Sequence, residues 1–276
     1  MNQDSNAADK IDLNHDEEEA VREREGLRAP VIYEIIRREG EEELSRPAFS
    51  LAVSGIAAGL TIGFSVVSEA ILHAYLPDAA WRHLVESVGY TVGFVIIILA
   101  RLQLFTENTI TPVLPALLNP SLTAVARTAR LWAIVLAANV AGCFIFAVML
   151  NVPGALPVEV HDAAMSISRH MMEYSQWEMF IRGIFSGWLI ASLVWMLPSA
   201  QSAKFWVIVL MTYLIAAGSF THVVAGSVEA FLLVLAGELS LVSMASDFFI
   251  PVLLGNVVGG TVLFAMLCYG QVAREV

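Results

Sequence analysis

Apolar residues gather in six segments, each long enough for the ~20 residues that span a bilayer as helix. They are Ala48–Leu72, Glu86–Leu118, Leu122–Leu150, Trp177–Leu197, Ala203–Ala236 and Ala245–Gly270. The second and fifth are too long for one straight helix, and both are interrupted. In the second, the apolar run from Gly93 breaks into Phe-Thr-Glu-Asn-Thr-Ile-Thr-Pro between Phe105 and Pro112, then resumes to Leu118. In the fifth, Val207–Gly218 breaks at Ser219-Phe220-Thr221-His222 and resumes from Val223 to Ala236. Non-helical backbone at membrane depth is tolerated only where protein buries it or where it lines a cavity, and paired interruptions in two halves point to a transport site.

The breaks belong to a larger repetition. Phe105-Thr106-Glu107 is matched about 115 residues later by Phe220-Thr221-His222. Asn139, within Ala138–Gly142, is answered by Asn256, within Gly255–Gly259, and Gly55-x-x-x-Gly59 by Gly183-x-x-x-Gly187. Three matches in one order predict an internal repeat of three spans plus three, although Gly-x-x-x-Gly alone is common in membrane helices. Because three is odd, the halves insert in opposite orientations. The expected fold is therefore all-α integral membrane, with six transmembrane helices in an inverted three-plus-three repeat and the breaks meeting near the midplane.

Composition agrees: 57% of the 276 residues are hydrophobic and the mean hydropathy is +0.70, well above the usual soluble range. The net charge of −11 is unevenly placed, since residues 1–46 hold 14 acidic against 7 basic side chains, or −7, leaving −4 for the rest. Three parts are expected: an acidic tail (1–46), a six-span membrane domain (47–271) and a short C-terminal tail (272–276). The first tail lacks apolar content, so its beginning is expected to be disordered, with a short amphipathic helix over Val31–Glu43 carrying Ile32, Ile35 and Ile36 on one face. Its acidic N-terminus reads as no cleavable signal peptide. Seven basic residues flank the spans on the side of the termini (Arg37, Arg38, Arg46, Arg127, Arg130, Lys204, Arg274) against three opposite (Arg82, Arg169, Arg182). This places both termini in the cytoplasm, with Asn151–Gln176 as an external cap.

Cys143 and Cys268 lie in apolar segments without metal-ligand spacing and read as packing residues. No metal site, cofactor, nucleophile-base pair or catalytic motif emerges, so no enzyme is expected, and the acidic balance argues against nucleic acid as partner.

Leu104-Phe105-Thr106, Gly218-Ser219-Phe220-Thr221-His222, Asn139 and Ile250-Pro251-Val252 with Gly255–Gly260 together resemble the formate/nitrite transporter family. The resemblance covers Ala48–Gly270 and is closest to a bacterial branch with an extended acidic N-terminus. It implies an aquaporin-like protomer, a homopentamer in the bacterial inner membrane, and passage of small monovalent anions or their acids (formate, nitrite, hydrosulfide, acetate) together with protons. It also implies that His222 pairs with Thr106 at the constriction. An anion crossing an apolar constriction is costly to desolvate, its neutral acid much less so, and an imidazole titrates near neutrality. Leu104, Phe105 and Phe220 are candidate lining residues beside Glu107, Asn108 and Thr221, with Phe94 and Ile215 as candidate gates. The alternative for each apolar side chain is core packing.

Departures from the family pattern concern the permeant. Glu107 and Asn108 stand where small or hydroxyl residues are common, Thr221 precedes the histidine in place of Glu, Gly226 and Ala191 replace asparagines, and the vestibule lysine has no counterpart. Charge inside apolar segments is rich: Glu69, Arg101, Glu107 and Glu229. Arg101 is expected to be neutralised by one of these carboxylates, fixing helix register or a protomer interface; alternatively Glu107 changes the permeant. Two other functions remain open, a neutral or cationic small-solute pore and a membrane sensor or scaffold with a vestigial pore.

Overall fold

The computed structural model of the protein describes residues 14–17 and 25–275. The stretch expected to be disordered falls mainly on 1–13 and 18–24, outside the described residues. From Ala29 onward the chain is helical: α1 (Ala29–Ser45), α2 (Ala48–Tyr75), α3 (Arg82–Leu99), α4 (Val113–Leu118), α5 (Leu122–Leu150), α6 (Val158–Met171), α7 (Gln176–Ala200), α8 (Lys204–Ala217), α9 (Val223–Leu235) and α10 (Leu241–Val272). Among the described residues, five helical runs are long and apolar enough to cross a membrane, α7 and α8 forming one of them across a tight turn at Gln201, where φ is +39°. The fifth apolar segment of the sequence, Ala203–Ala236, is shared between the end of that run and the short apolar α9. This is an all-α integral membrane protein.

The two halves are built alike. Gly59 on α2 lies so close to α5 that an added Cβ would strike the Asn139 carbonyl, and Gly187 on α7 stands in the same relation to Asn256 on α10. Small residues at these crossings let the backbones approach, the usual basis of close packing between membrane helices. In α10, Pro251 lacks the N–H a regular helix needs and its ring crowds the preceding turn, and the helix widens to π geometry over Met244–Phe249.

Two further helices cover opposite sides. α1 starts with Pro30 in its first turn and buries Ile32, Tyr33, Ile36, Gly40 and Leu44 against α4, α7 and the end of α10. Ile35, expected on that face, borders a cavity instead. The Tyr33 hydroxyl donates to the Leu114 carbonyl at 3.1 Å, and an added Cβ at Gly40 would meet the Thr111 carbonyl, so α1 is locked onto the first break. Its outer face carries Glu34, whose carboxylate is held down at about 2 by hydrogen bonds from Arg37 and Arg38. On the far side, α6 packs on α2 and α9.

Candidate functional site

Each break is a helix, a loop that folds back, and a shorter helix. α3 ends at Leu99, Arg101 turns the chain with φ +56°, and Leu102–Thr106 leads into a 3-10 turn, Glu107–Thr109, before α4. α8 ends at Ala217, Ser219 turns the chain with φ +51°, and Phe220–His222 leads into α9. Neither loop can satisfy its polar groups in lipid, and one buried asparagine serves each. Asn139 accepts from the Phe105 N–H at 2.8 Å and donates to the carbonyls of Gly55 and Gln103, both at 2.8 Å. Asn256 accepts from the Val223 N–H at 2.9 Å and donates to the carbonyls of Gly183 at 2.9 Å and Thr221 at 3.1 Å.

These clamps correct the register of the repeat. The sequence match of Phe105-Thr106 with Phe220-Thr221 is three residues out of step: the clamps put Phe105 opposite Val223, hence Leu104 opposite His222, Gln103 opposite Thr221 and Leu102 opposite Phe220. Asparagine binds backbone, so neither side chain at the clamped N–H had to be preserved.

Two cavities approach the loops from opposite sides. One, of about 460 Å³, opens beside α1 and is lined by Leu102, Gln103, Glu107 and Asn108 together with Glu39 and Glu43 of α1. The other, of about 480 Å³, opens beneath α6 and is lined by Phe220, Thr221 and His222 together with Glu69, Glu86 and Glu229. Phe94, Leu104, Phe105, Thr106 and Ile215 border neither cavity and are fully or almost fully buried. At the edge of that dry zone Thr106 Oγ1 lies 2.8 Å from the Nε2 of His222, which borders the α6-side cavity, joining the two breaks, and the Phe94 ring meets the imidazole edge to face at 5.1 Å.

The tautomer of His222 follows from its other nitrogen. Nδ1 accepts the Ala225 N–H at 3.2 Å, capping the N-terminus of α9. A backbone N–H can only donate, so the neutral ring carries its proton on Nε2 and donates it to Thr106, leaving the threonine hydroxyl proton free for another acceptor. The α9 N-terminus, with its positive dipole end, therefore points at the contact between the breaks.

The other named residues divide. Phe220 borders the α6-side cavity and stacks on Phe185 at 5.0 Å, whereas Phe105 turns away to meet Trp132 edge to face at 5.8 Å. Asn108 donates to the Gln103 side chain at 3.1 Å while its carbonyl accepts from the Trp132 indole at 2.8 Å, and Thr221 donates to the Met179 carbonyl at 2.7 Å. Leu102 and Gln103 were missed by sequence reading; the spacing of Asn139 and Asn256 comes within one residue of the register that relates them to Phe220 and Thr221. The expected pairing of Arg101 with Glu69, Glu107 or Glu229 is not what forms. The Arg101 side chain is 76% exposed and approaches Glu39 of α1 at 3.6 Å, while Glu69 and Glu229 border the opposite cavity. Glu107 shares the cavity of Arg101 without an ion pair.

Residues 30–270, nearly the whole described chain, match the family model for the formate/nitrite transporter. The chain belongs to the formate/nitrite transporter family. The inner membrane protein YfdC of Escherichia coli (strain K12) is 42% identical over 280 residues, covering 97% of this chain and 90% of that protein. Two solved structures share the fold. An FNT family ion channel matches with a TM-score of 0.77 at 18% identity, covering 87% of this chain and 98% of its own. A pentameric formate channel with formate bound matches with a TM-score of 0.70 at 21% identity, covering 82% and 98%. A multi-pass membrane transporter of this family is thus the frame for reading the two breaks.

Proposed function

We propose that this chain is a channel or proton-linked transporter for small monovalent anions or their neutral acids, of the formate, nitrite, hydrosulfide and acetate class, with His222 at the central constriction. The observation that carries the reading is the 2.8 Å contact of Thr106 with His222 between the dry zone and the α6-side cavity, at the N-terminus of α9. A helix N-terminus favours negative charge, so an anion is drawn to this point, yet the apolar wall of Phe94 and Leu104 opposes its passage as an ion. Protonation of His222 at Nδ1 displaces the Ala225 N–H, which costs about 1 kcal/mol as the loss of a helix cap, and it charges a buried ring, a larger cost that an anion bound beside it offsets. The proton comes from the medium on the entry side; the imidazolium gives a proton to the anion, which crosses as the neutral acid, and the ring regains its cap once Nδ1 is deprotonated. The free proton of the Thr106 hydroxyl orients the permeant through a hydrogen bond.

The excess of basic flanks on the α1 side puts both termini in the cytoplasm and the α6-side cavity outside. The relative's name and the pentameric neighbour make a homopentamer in the bacterial inner membrane the working assembly, and apolar side chains exposed on α2, α3 and α5, among them Phe64, Val88 and Phe144, supply surface for lipid and neighbouring protomers.

A panel of formate, nitrite, acetate and hydrosulfide fluxes in proteoliposomes across a pH gradient tests the reading. Flux of at least one solute that loses its pH dependence in His222→Phe is the expected result. Absence of His222-dependent flux for every solute would leave a membrane sensor or scaffold.

A further inference from the structure

The α6-side cavity holds more carboxyl groups than its basic side chains meet. Glu86 is met by His73 Nδ1 at 2.9 Å and flanked by Arg82 and His83, and Glu173 is met by His170 at 3.0 Å. Arg169, the guanidinium on the cavity wall, is bound by two hydrogen bonds of 2.7 Å to Glu238, which raises the arginine and lowers the carboxyl from their ordinary values. Arg182 lies over the Tyr174 ring at 3.9 Å and donates to the Ser219 carbonyl at 2.9 Å.

Two carboxylates remain. Glu69 on α2 and Glu229 on α9 are 7% and 6% exposed, and among the described residues neither is met by a hydrogen-bond donor or by a basic side chain. Both border the cavity, and neither is sealed off from it, since the one fully enclosed side-chain polar atom without a partner among the described residues is Ser186 Oγ. Carboxyl groups this deep stay neutral unless a positive charge joins them, and a cation that binds there pairs with the carboxylate form.

We propose that Glu69 and Glu229 form a binding site for a small monovalent cation of the ammonium or alkylammonium class. Three features select that chemistry. Carboxylate oxygens and the Tyr90 hydroxyl, which borders the same space and has no partner among the described residues, supply acceptors for N–H donors. Tyr90 and Phe220 supply aromatic rings, and Ile167 and Met171 apolar walls, an environment that suits a weakly hydrated organic cation. No three His, Cys, Asp or Glu side chains among the described residues converge as a metal ion needs. The site lies on the mouth side of His222, seven residues along α9, so its occupant does not have to cross the dry zone. The inference goes beyond the anion reading and is independent of it: the cation binds whether or not an anion passes.

Saturable binding of radiolabelled methylammonium to the purified full-length protein in lipid nanodiscs provides the test. Binding is expected in the wild type, displaced by ammonium more strongly than by potassium or sodium, and weakened about tenfold or more in the double variant Glu69→Gln, Glu229→Gln. His222→Phe, which the anion reading says abolishes proton-linked flux, is expected to bind methylammonium as the wild type does, so the two readings fail separately. Glutamine preserves shape, and an unchanged elution volume and thermal unfolding temperature would show that the double variant folds. No saturable binding, equal binding in the double variant, or displacement by protons alone would overturn the proposal.

Discussion

The two breaks are one design carrying two chemistries. Both turn at a residue with positive φ, both hang from an asparagine that takes one N–H and gives to two carbonyls, and both present the position before the clamped N–H to the midplane. In the first break that position is Leu104, apolar and fully buried; in the second it is His222, which titrates and caps a helix. The scaffold is therefore symmetric where backbone must be satisfied and asymmetric where the proposed function has the permeant handled. Repeat symmetry identifies the frame, and departures from it identify the chemistry.

The largest effect should come from the shared frame. Asn139→Ala and Asn256→Ala each orphan one N–H and one loop carbonyl in a buried interior, at about 1–3 kcal/mol per group, and remove a second partner from a helical carbonyl, so each should cost about 2 kcal/mol or more. Thermal unfolding of the purified variants checks this, and a silent Asn139→Ala beside a destructive Asn256→Ala would break the symmetry. Next comes the asymmetric pair. His222→Phe should abolish pH-dependent flux without changing assembly, whereas His222→Asn, which can still hydrogen-bond Thr106, should keep residual flux if the ring chiefly orients the permeant.

Smaller effects sharpen the comparison. Glu107→Gln removes a carboxylate from the α1-side cavity, where Glu39 and Glu43 already repel anions, and should raise anion flux several-fold; lost flux would make Glu107 a second proton site. Leu102→Ala and Phe220→Ala, at equivalent positions on opposite cavities, should each widen an approach and raise flux by similar modest factors in stopped-flow assays. Deleting residues 1–28 should change folding and basal flux least, because α1 begins at Ala29 and makes the contacts with the first break.

Spans and breaks were legible because hydropathy and the crowding of Thr, Glu and Pro into apolar runs are properties of single segments. The register of the repeat was not, because the matching Phe-Thr pairs are incidental and the conserved contact runs from a side chain to backbone that has no residue-specific signature. The pairing of Arg101 failed for a geometric reason that the sequence does contain. At 1.5 Å per residue, Glu69 lies some thirty ångströms along α2 from its start and so on the far side, whereas Arg101 follows the return of α3 to the side of α1. The engagement of α1 with the first break was invisible because Gly40 and Tyr33 act through backbone approach and a single hydroxyl.

The central claim is that the contact between the breaks passes a weak acid in its neutral form by way of His222. Uptake of labelled formate into proteoliposomes, with the interior made alkaline, equal or acidic relative to the medium, tests it most directly. The account predicts that an alkaline interior accelerates entry through the wild-type protein and leaves His222→Phe unaffected. Equal acceleration in both proteins would contradict it.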